Sequence, residues 1–182
     1  GVPLATNGIA MIANLDLIAR AGMELPSTEW TWDDVDVWGK QFVDAMGPDY
    51  VAIADRSNTT AYFDYFLRQR GLSLVKDGAV NFSEQDVIDW FGMWQRWRDA
   101  GIVPNAELAS AFTELDVNNS LVPAGQAAMT LNWVNQLPNF DNAMEDAVDL
   151  FPLPAGGEGM ENGFWLHPAQ FWVIPATSEH PY

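Results

Sequence analysis

The chain has 182 residues, a length that suits a single domain with a hydrophobic core of its own. Its 25 acidic residues outnumber its 8 basic ones, and a net charge of −17 repels both nucleic acid and anionic lipid, so we expect neither as a partner. Cysteine is absent, which excludes disulfide bonds, thiolate catalysis and cysteine-ligated zinc.

Strand-like and helix-like patterns alternate along the first half of the chain, which predicts an α/β or α+β fold. Continuous apolar runs predict buried strands, and apolar residues spaced three and four apart predict helices. The predicted elements are a strand over 9–13, a helix over 15–21, a helix from 31 to about 47, a strand over 50–54 and a helix over 61–70. Thr31 followed by Asp34 is the pattern of a capping box, which marks the start of the second helix.

The second half of the chain continues the alternation. Ser83 begins the most clearly patterned helix, and Gly101 ends it. The apolar stripe of that helix consists of Val87, Trp90, Phe91, Trp94 and Trp97. Thr113 with Asp116 predicts a further helix start, and Pro123 closes that helix. The remaining predictions are a turn over 76–78, strands over 127–131, 148–153 and 171–174, a short helix over 137–144 and a glycine-rich loop over 154–163.

Six short motifs follow one another along nearly the whole chain. In chain order they are Gly1-Val2-Pro3 with Asn14-Leu15-Asp16, Pro26 with Thr31-Trp32-Asp33-Asp34, Tyr62-Phe63-Asp64-Tyr65 before Gly71, Gly125-Gln126-Ala127-Ala128-Met129 with Trp133, Pro152-Leu153-Pro154, and Ile174-Pro175 with Ser178-Glu179-His180-Pro181. Each motif alone is weak, but in this order they resemble the sugar-binding family of bacterial extracellular solute-binding proteins, which includes maltose-binding protein. The sequence departs from that family's pattern at Ala13, where Tyr is usual, and at Leu15, where Lys is usual.

The resemblance implies a protein of two lobes joined by a hinge, with the ligand in the cleft between them. Each lobe would be a three-layer α/β structure of the periplasmic-binding-protein type. Residues 1–147 would form most of the C-terminal lobe, and residues 148–182 would cross back toward the N-terminal lobe. The chain also has neither a starting Met nor a signal peptide, so we expect a fragment of a longer protein, and the resemblance implies that the N-terminal lobe is the missing part.

The resemblance also implies the substrate-binding component of an ABC importer for a sugar or oligosaccharide, without catalysis and without a cofactor. Its partners would be the sugar and a membrane permease, and the full-length protein would be a monomer. It would be extracellular, periplasmic or anchored as a lipoprotein to the outer face of the cell membrane. A glycoside hydrolase is an alternative, because a sequence does not show how its carboxylates are spaced in the fold. A lectin-like binding module is a second alternative.

Sugar binding needs aromatic faces that pack on C–H groups and planar polar side chains that hydrogen-bond hydroxyls. The candidate ligand-binding residues are Asn7, Tyr62, Trp133, Phe164 and Trp165. Trp133 follows a predicted strand end, at the position where the resemblance implies a site tryptophan. A core role for Tyr62, a turn-forming role for Asn7, and packing between lobes for Phe164 and Trp165 are the alternatives.

The sequence shows no catalytic set and no metal site. His167 and His180 are its two histidines, and neither has a partner at the spacing of metal ligands on a helix. No nucleophile motif is present either, and no Ser-His-Asp set can be assigned. We therefore predict a binding protein and not an enzyme.

Overall fold

The structure is a computed structural model that describes residues 2–179. Its strands are β1 (Val2–Asn7), β2 (Ile9–Asn14), β3 (Val51–Ile53), β4 (Ser73–Lys76), β5 (Ala79–Asn81), β6 (Ala127–Trp133), β7 (Val148–Phe151) and β8 (His167–Trp172). Its helices are α1 (Leu15–Arg20), α2 (Trp32–Met46), α3 (Thr60–Gln69), α4 (Glu84–Asp99), α5 (Ala106–Ala111) and α6 (Leu137–Ala143), with 3-10 turns over Val117–Asn119 and Val134–Gln136. Gly1 of the first motif, and His180 and Pro181 of the sixth, lie outside the described residues.

The central sheet has four strands in the order β3-β6-β2-β7. β3 is parallel to β6, whereas β2 is antiparallel to both β6 and β7. The amino end of β2 therefore lies at the same end of the sheet as the carboxyl ends of the other three strands. We call this end the carboxyl rim: it consists of Gly8 and of residues 54–58, 133–135 and 152–155.

Helices cover both faces of the central sheet. Adjacent residues of β2 point to opposite faces, so Met11 belongs to one core and Ile12 to the other. The Met11 core includes Trp38 of α2 and Trp94 of α4, and the Ile12 core includes Phe140 of α6. The result is the three-layer α/β arrangement that the sequence predicts.

The predicted starts of the two long helices are confirmed. The Thr31 backbone N–H donates to Asp34 Oδ2 over 2.8 Å, and the Asp34 N–H donates back to the Thr31 hydroxyl over 3.3 Å. Ser83 and Asp86 make the same reciprocal pair at the start of α4. These capping boxes satisfy backbone donors that the first turn of a helix leaves free, which is why the local sequence sufficed to find them.

The stripe predicted for α4 is correct at its three tryptophans and wrong at Phe91. Trp90, Trp94 and Trp97 are fully buried, whereas the Phe91 side chain is 51% exposed. Neighbouring residues on a helix point about 100° apart, so Phe91 cannot share the face of Trp90. Trp90 packs edge-on against Trp32, with 6.1 Å between ring centroids.

The helix predicted to start at Thr113 is absent from the structure. The chain forms α5 earlier, where Asn105 accepts a hydrogen bond from the Leu108 N–H at 2.9 Å and caps that helix. Asp116 instead accepts from the Asn118 N–H at 3.1 Å and closes a 3-10 turn. A Thr-x-x-Asp pattern serves a turn as well as a helix, because a short polar side chain bonds a nearby backbone N–H in either case.

A second sheet of two strands, β1 and β8, extends away from the central sheet as a ribbon. Its outer part is apolar and exposed: Val2, Leu4 and Phe171 are each at least half exposed, and Trp172 is 70% exposed. The last strand lies at His167–Trp172, earlier than the predicted 171–174. Its position follows from its pairing with β1, a strand that is not among the predicted elements.

We expect Trp90→Ala to lower the free energy of unfolding by about 3–5 kcal/mol, because it removes the centre of a buried aromatic cluster. The matched control is Phe91→Ala, the next residue, for which we expect a change of about 0.5 kcal/mol or less. Urea denaturation followed by tryptophan fluorescence measures both. Equal losses for the two variants would contradict the placement of α4.

A second prediction concerns the stability of the 113–121 loop at different pH values. Burial raises the pKa of the Glu114 carboxyl above its ordinary value of 4.5, although the hydrogen bond from the Leu121 N–H, the positive charge of Arg56 and the hydrogen bond from Thr130 oppose the shift. A carboxyl with a raised pKa in the folded state contributes stability that is complete below its unfolded pKa. That contribution is lost as the pH rises through the folded pKa.

Wild type should therefore lose stability relative to Glu114→Gln as the pH rises from about 4.5, because Gln cannot ionise. Denaturation of both proteins from pH 4 to pH 8 measures the difference. A difference that stays constant with pH would show that Glu114 does not titrate abnormally.

Candidate functional site

The carboxyl rim gathers polar and aromatic side chains from distant parts of the chain. Ligands of open α/β sheets bind at the carboxyl ends of the strands, so this rim is the natural place to look for a site. The chain reaches it through Asn7, whose side-chain amide donates to Asn135 Oδ1 over 2.9 Å. The Asn7 Oδ1 in turn accepts from the Gly8 N–H at 3.0 Å. Asn7 thus connects the end of β1 to the turn after β6.

Trp133 lies at the last position of β6, partly buried, with its indole beside the His167 imidazole. The ring centroids are 5.5 Å apart and the planes are inclined by 51°. Strand register explains this contact, because Trp133 pairs with Ile9 in the central sheet while His167 pairs with Asn7 in the ribbon. Trp133 therefore stands where the ribbon meets the central sheet.

Phe164 lies over Gly8 at the same junction. A Cβ atom added at Gly8 would be only 2.8 Å from the Phe164 Cζ, so any larger residue at position 8 would displace the ring. The Phe164 side chain is 50% exposed. With Ile9 and Val134 it lines a groove of about 650 Å³ whose polar wall includes Glu29.

Trp165 faces α3 instead of this junction. The Arg68 guanidinium carbon lies 4.5 Å from the centroid of the Trp165 ring, a cation–π geometry. Arg68 is itself held by Asp64, with 2.7 Å between Nε and Oδ2. Trp165 is thus positioned by α3, and its described ring contact is with Arg68 and not with the Trp133–His167 pair.

Tyr62 lies beneath the rim in the core. Its side chain is fully buried, and its hydroxyl donates to the Leu131 carbonyl oxygen over 2.8 Å. Burial raises the pKa of this hydroxyl, against the opposing effect of Arg56. A buried ring offers no face to a ligand, so in this structure Tyr62 has the core position that the sequence left as its alternative.

The carboxyl end of β3 adds a polar cavity that the sequence analysis did not propose. It has a volume of about 250 Å³, and its lining includes Asp55, Arg56, Ser57, Asn58 and Glu114. The polar run of residues 55–58 directly after β3 is the sequence signal that could have predicted this cavity, because the carboxyl ends of such strands meet at the rim. Asn135, directly after β6, is a polar residue at a strand end of the same kind. The contact of His167 with Trp133 depends on strand pairing, so the sequence offers His167 only as a candidate metal ligand.

The described residues give no support to metal chemistry or to a membrane span. No group of three acidic or histidine side chains within residues 2–179 is arranged to hold a metal ion. In the same part of the chain, no helix combines the length and the apolar character needed to cross a bilayer.

Solved structures of solute-binding proteins share this fold over the whole chain. An extracellular solute-binding protein of family 1 from Alicyclobacillus acidocaldarius is 25% identical, with a TM-score of 0.79. A periplasmic solute-binding protein from Pectobacterium atrosepticum is 20% identical, with a TM-score of 0.84. An oligogalacturonide-binding protein from Yersinia enterocolitica, solved with saturated digalacturonic acid, is 21% identical, with a TM-score of 0.82.

Each of these likenesses covers 100% of this chain, which spans only 45% to 46% of the length of the three proteins. They confirm the predicted periplasmic-binding-protein-type α/β fold. Residues 2–182 also match, as a sequence, the family described as bacterial extracellular solute-binding protein. Because that match runs over nearly every residue, the chain belongs to the family of bacterial extracellular solute-binding proteins.

Proposed function

We propose that this chain belongs to the substrate-binding component of an ABC importer and that its carboxyl rim holds a sugar or oligosaccharide. The observation that carries the proposal is the junction of Trp133, Asn7 and Phe164. It brings the partly buried Trp133 and the half-exposed Phe164 together above the buried amide of Asn7, and exposed aromatic rings are what the C–H faces of a pyranose require. Trp165, which packs against Arg68 of α3, is the remaining aromatic candidate for ligand contact.

The family and the neighbouring structures support a carbohydrate ligand. Solute-binding proteins are binding proteins and not catalysts, and one structural relative carries a digalacturonic acid. In the proposal, residues 1–147 form most of one lobe and residues 148–182 lead toward a second. The exposed apolar ribbon of β1 and β8 is the structural feature that fits such a connection, because apolar surface of this extent suits a covered position.

The proposed mechanism is closure of two lobes around the ligand. A ligand that contacts both lobes stabilises the closed conformation by its differential affinity for that state. The closed protein then presents both lobes to a membrane permease. The protein would act outside the cytoplasm, as a periplasmic, extracellular or lipid-anchored monomer.

A thermal-shift screen of the two-lobed protein against mono- and oligosaccharides tests the proposal. A ligand that binds only the folded state raises the melting temperature. At a ligand concentration of one hundred times its Kd, the added free energy of unfolding is about 2.7 kcal/mol. We expect one sugar class to raise the Tm and Trp133→Ala to abolish the shift. Phe91→Ala is the control, since it removes an exposed aromatic ring from α4, away from the rim.

The same mixtures separate a binding protein from a glycoside hydrolase. After prolonged incubation, chromatography should recover each sugar unchanged. Cleaved product would refute the binding function, and a screen without any shift would exclude sugars as the ligand class.

A further inference from the structure

Arg56 is a buried cation at the carboxyl rim. It lies three residues beyond the end of β3, its side chain is only 5% exposed, and it lines the cavity of about 250 Å³ described above. Burying a charged side chain is costly unless an opposite charge compensates it. The question is therefore which group provides that charge.

The described hydrogen bonds of Arg56 go to neutral oxygens, and its guanidinium carbon lies 5.4 Å from the centroid of the Tyr62 ring. One terminal nitrogen donates to the Glu114 backbone carbonyl, and the other donates to the Tyr62 hydroxyl over a long 3.4 Å. Within residues 2–179 the Nε atom has no hydrogen-bond partner, and Arg56 takes part in none of the salt bridges. Within the described residues the guanidinium therefore has no hydrogen-bonded counter-ion, although the Glu114 carboxylate attracts it through space.

The two carboxylates that line the same cavity are held by other partners. Asp55 forms a salt bridge with Arg98 and also accepts from the Ser57 N–H at 2.9 Å. Glu114 accepts from the Leu121 N–H at 3.1 Å and from the Thr130 hydroxyl at 3.3 Å. Burial also raises the pKa of Glu114, which disfavours its charged form. Neither carboxylate is therefore hydrogen-bonded to Arg56, and Glu114, which acts on it electrostatically, is itself shifted toward its neutral form by burial.

The cavity also lies close to the proposed sugar site. Tyr62 contacts Arg56 through its hydroxyl and bonds the carbonyl of Leu131 with the same atom. Leu131 precedes Trp133 by two positions on β6, and two residues of a strand span roughly 7 Å. The cavity and Trp133 therefore belong to the same end of the sheet.

We propose that this cavity is a subsite for the carboxylate of an acidic sugar, such as a uronic acid, and that Arg56 is its counter-ion. The planar guanidinium matches the two oxygens of a carboxylate. A local cation is necessary here, because a chain with a net charge of −17 repels anions at long range. This inference rests on the proposed function and names the class of its substrate.

Isothermal titration calorimetry of the two-lobed protein with digalacturonate and with the neutral disaccharide galactobiose tests the inference. We expect digalacturonate to bind about tenfold more tightly or better, the range expected for a hydrogen-bonded charge. Arg56→Gln should abolish that preference. Arg20→Gln is the matched control, because it removes the same charge from an arginine that pairs with Asp146, away from the cavity.

Asn58→Asp provides a second test that leaves the buried arginine in place. Asn58 is an exposed residue of the cavity lining, and the substitution changes only an amide to a carboxylate. We expect it to weaken digalacturonate binding by roughly tenfold through repulsion and to weaken galactobiose binding less, because a neutral sugar carries no charge for the new carboxylate to repel.

The outcomes separate this inference from the proposed function. Galactobiose binding as tightly as digalacturonate would overturn the acidic subsite and leave the sugar-binding function standing. If neither disaccharide binds and no sugar raises the Tm, both proposals fail. Sodium acetate that binds as tightly as digalacturonate would also overturn the inference, because the cavity would then take any small carboxylate and not a sugar.

Discussion

The direction of β2 is the constraint on which the rest of the structure depends. This strand is buried at every residue and pairs on both sides, antiparallel to β6 and to β7. Its reversal brings the residues before it, Asn7 and Gly8, to the end of the sheet where the other strands terminate. Trp133, Arg56 and the loop that bears Phe164 reach the same rim from separate parts of the sequence. Without that reversal, these groups would lie at opposite ends of the sheet.

The buried side chain of Gln69 supports the carboxyl rim from the core. Gln69 accepts from the Trp32 indole N–H at 2.7 Å and donates to the Pro154 carbonyl at 2.9 Å. This buried amide therefore fixes the start of the loop that carries Phe164 and Trp165. Gly163 completes the fit, because a Cβ atom there would lie 2.6 Å from the Gln69 side chain and its φ of 75° favours glycine. The loop is thus positioned before any ligand binds.

The predictions that succeeded rest on local physics, and those that failed depend on tertiary contacts. Capping at Thr31 requires only residues within one turn, so the sequence suffices to place it. The exposure of Phe91 depends on which face of α4 meets the sheet. Asn105 and Asp116 both offer caps, and only the packing of the surrounding loops decides which of them begins a helix. Strand pairing likewise decides the neighbours of His167, and a sequence does not display pairing.

The same contrast between local sequence patterns and tertiary contacts applies to the candidate site residues. The strand-end position of Trp133 can be predicted from the pattern, and its part in ligand binding stays a prediction. The burial of Tyr62 could not be located in this way, since its ring fills space between α3 and β6 that exists only in the folded chain. Arg56 shows the converse: its residue type is evident, but its importance comes from the absence of a hydrogen-bonded carboxylate partner among the described residues.

The two parts of the proposed site differ in whether they involve the ribbon. The cavity of Arg56 is lined by α5 and by loops beside the central sheet, and by no residue of the ribbon. The Trp133–His167 contact and the Asn7–Asn135 hydrogen bond each join the ribbon to the sheet. In the proposed mechanism, a ligand that touches Trp133 acts on those two contacts. It can therefore bias the ribbon toward one orientation, because only interactions that differ between two conformations can shift their equilibrium.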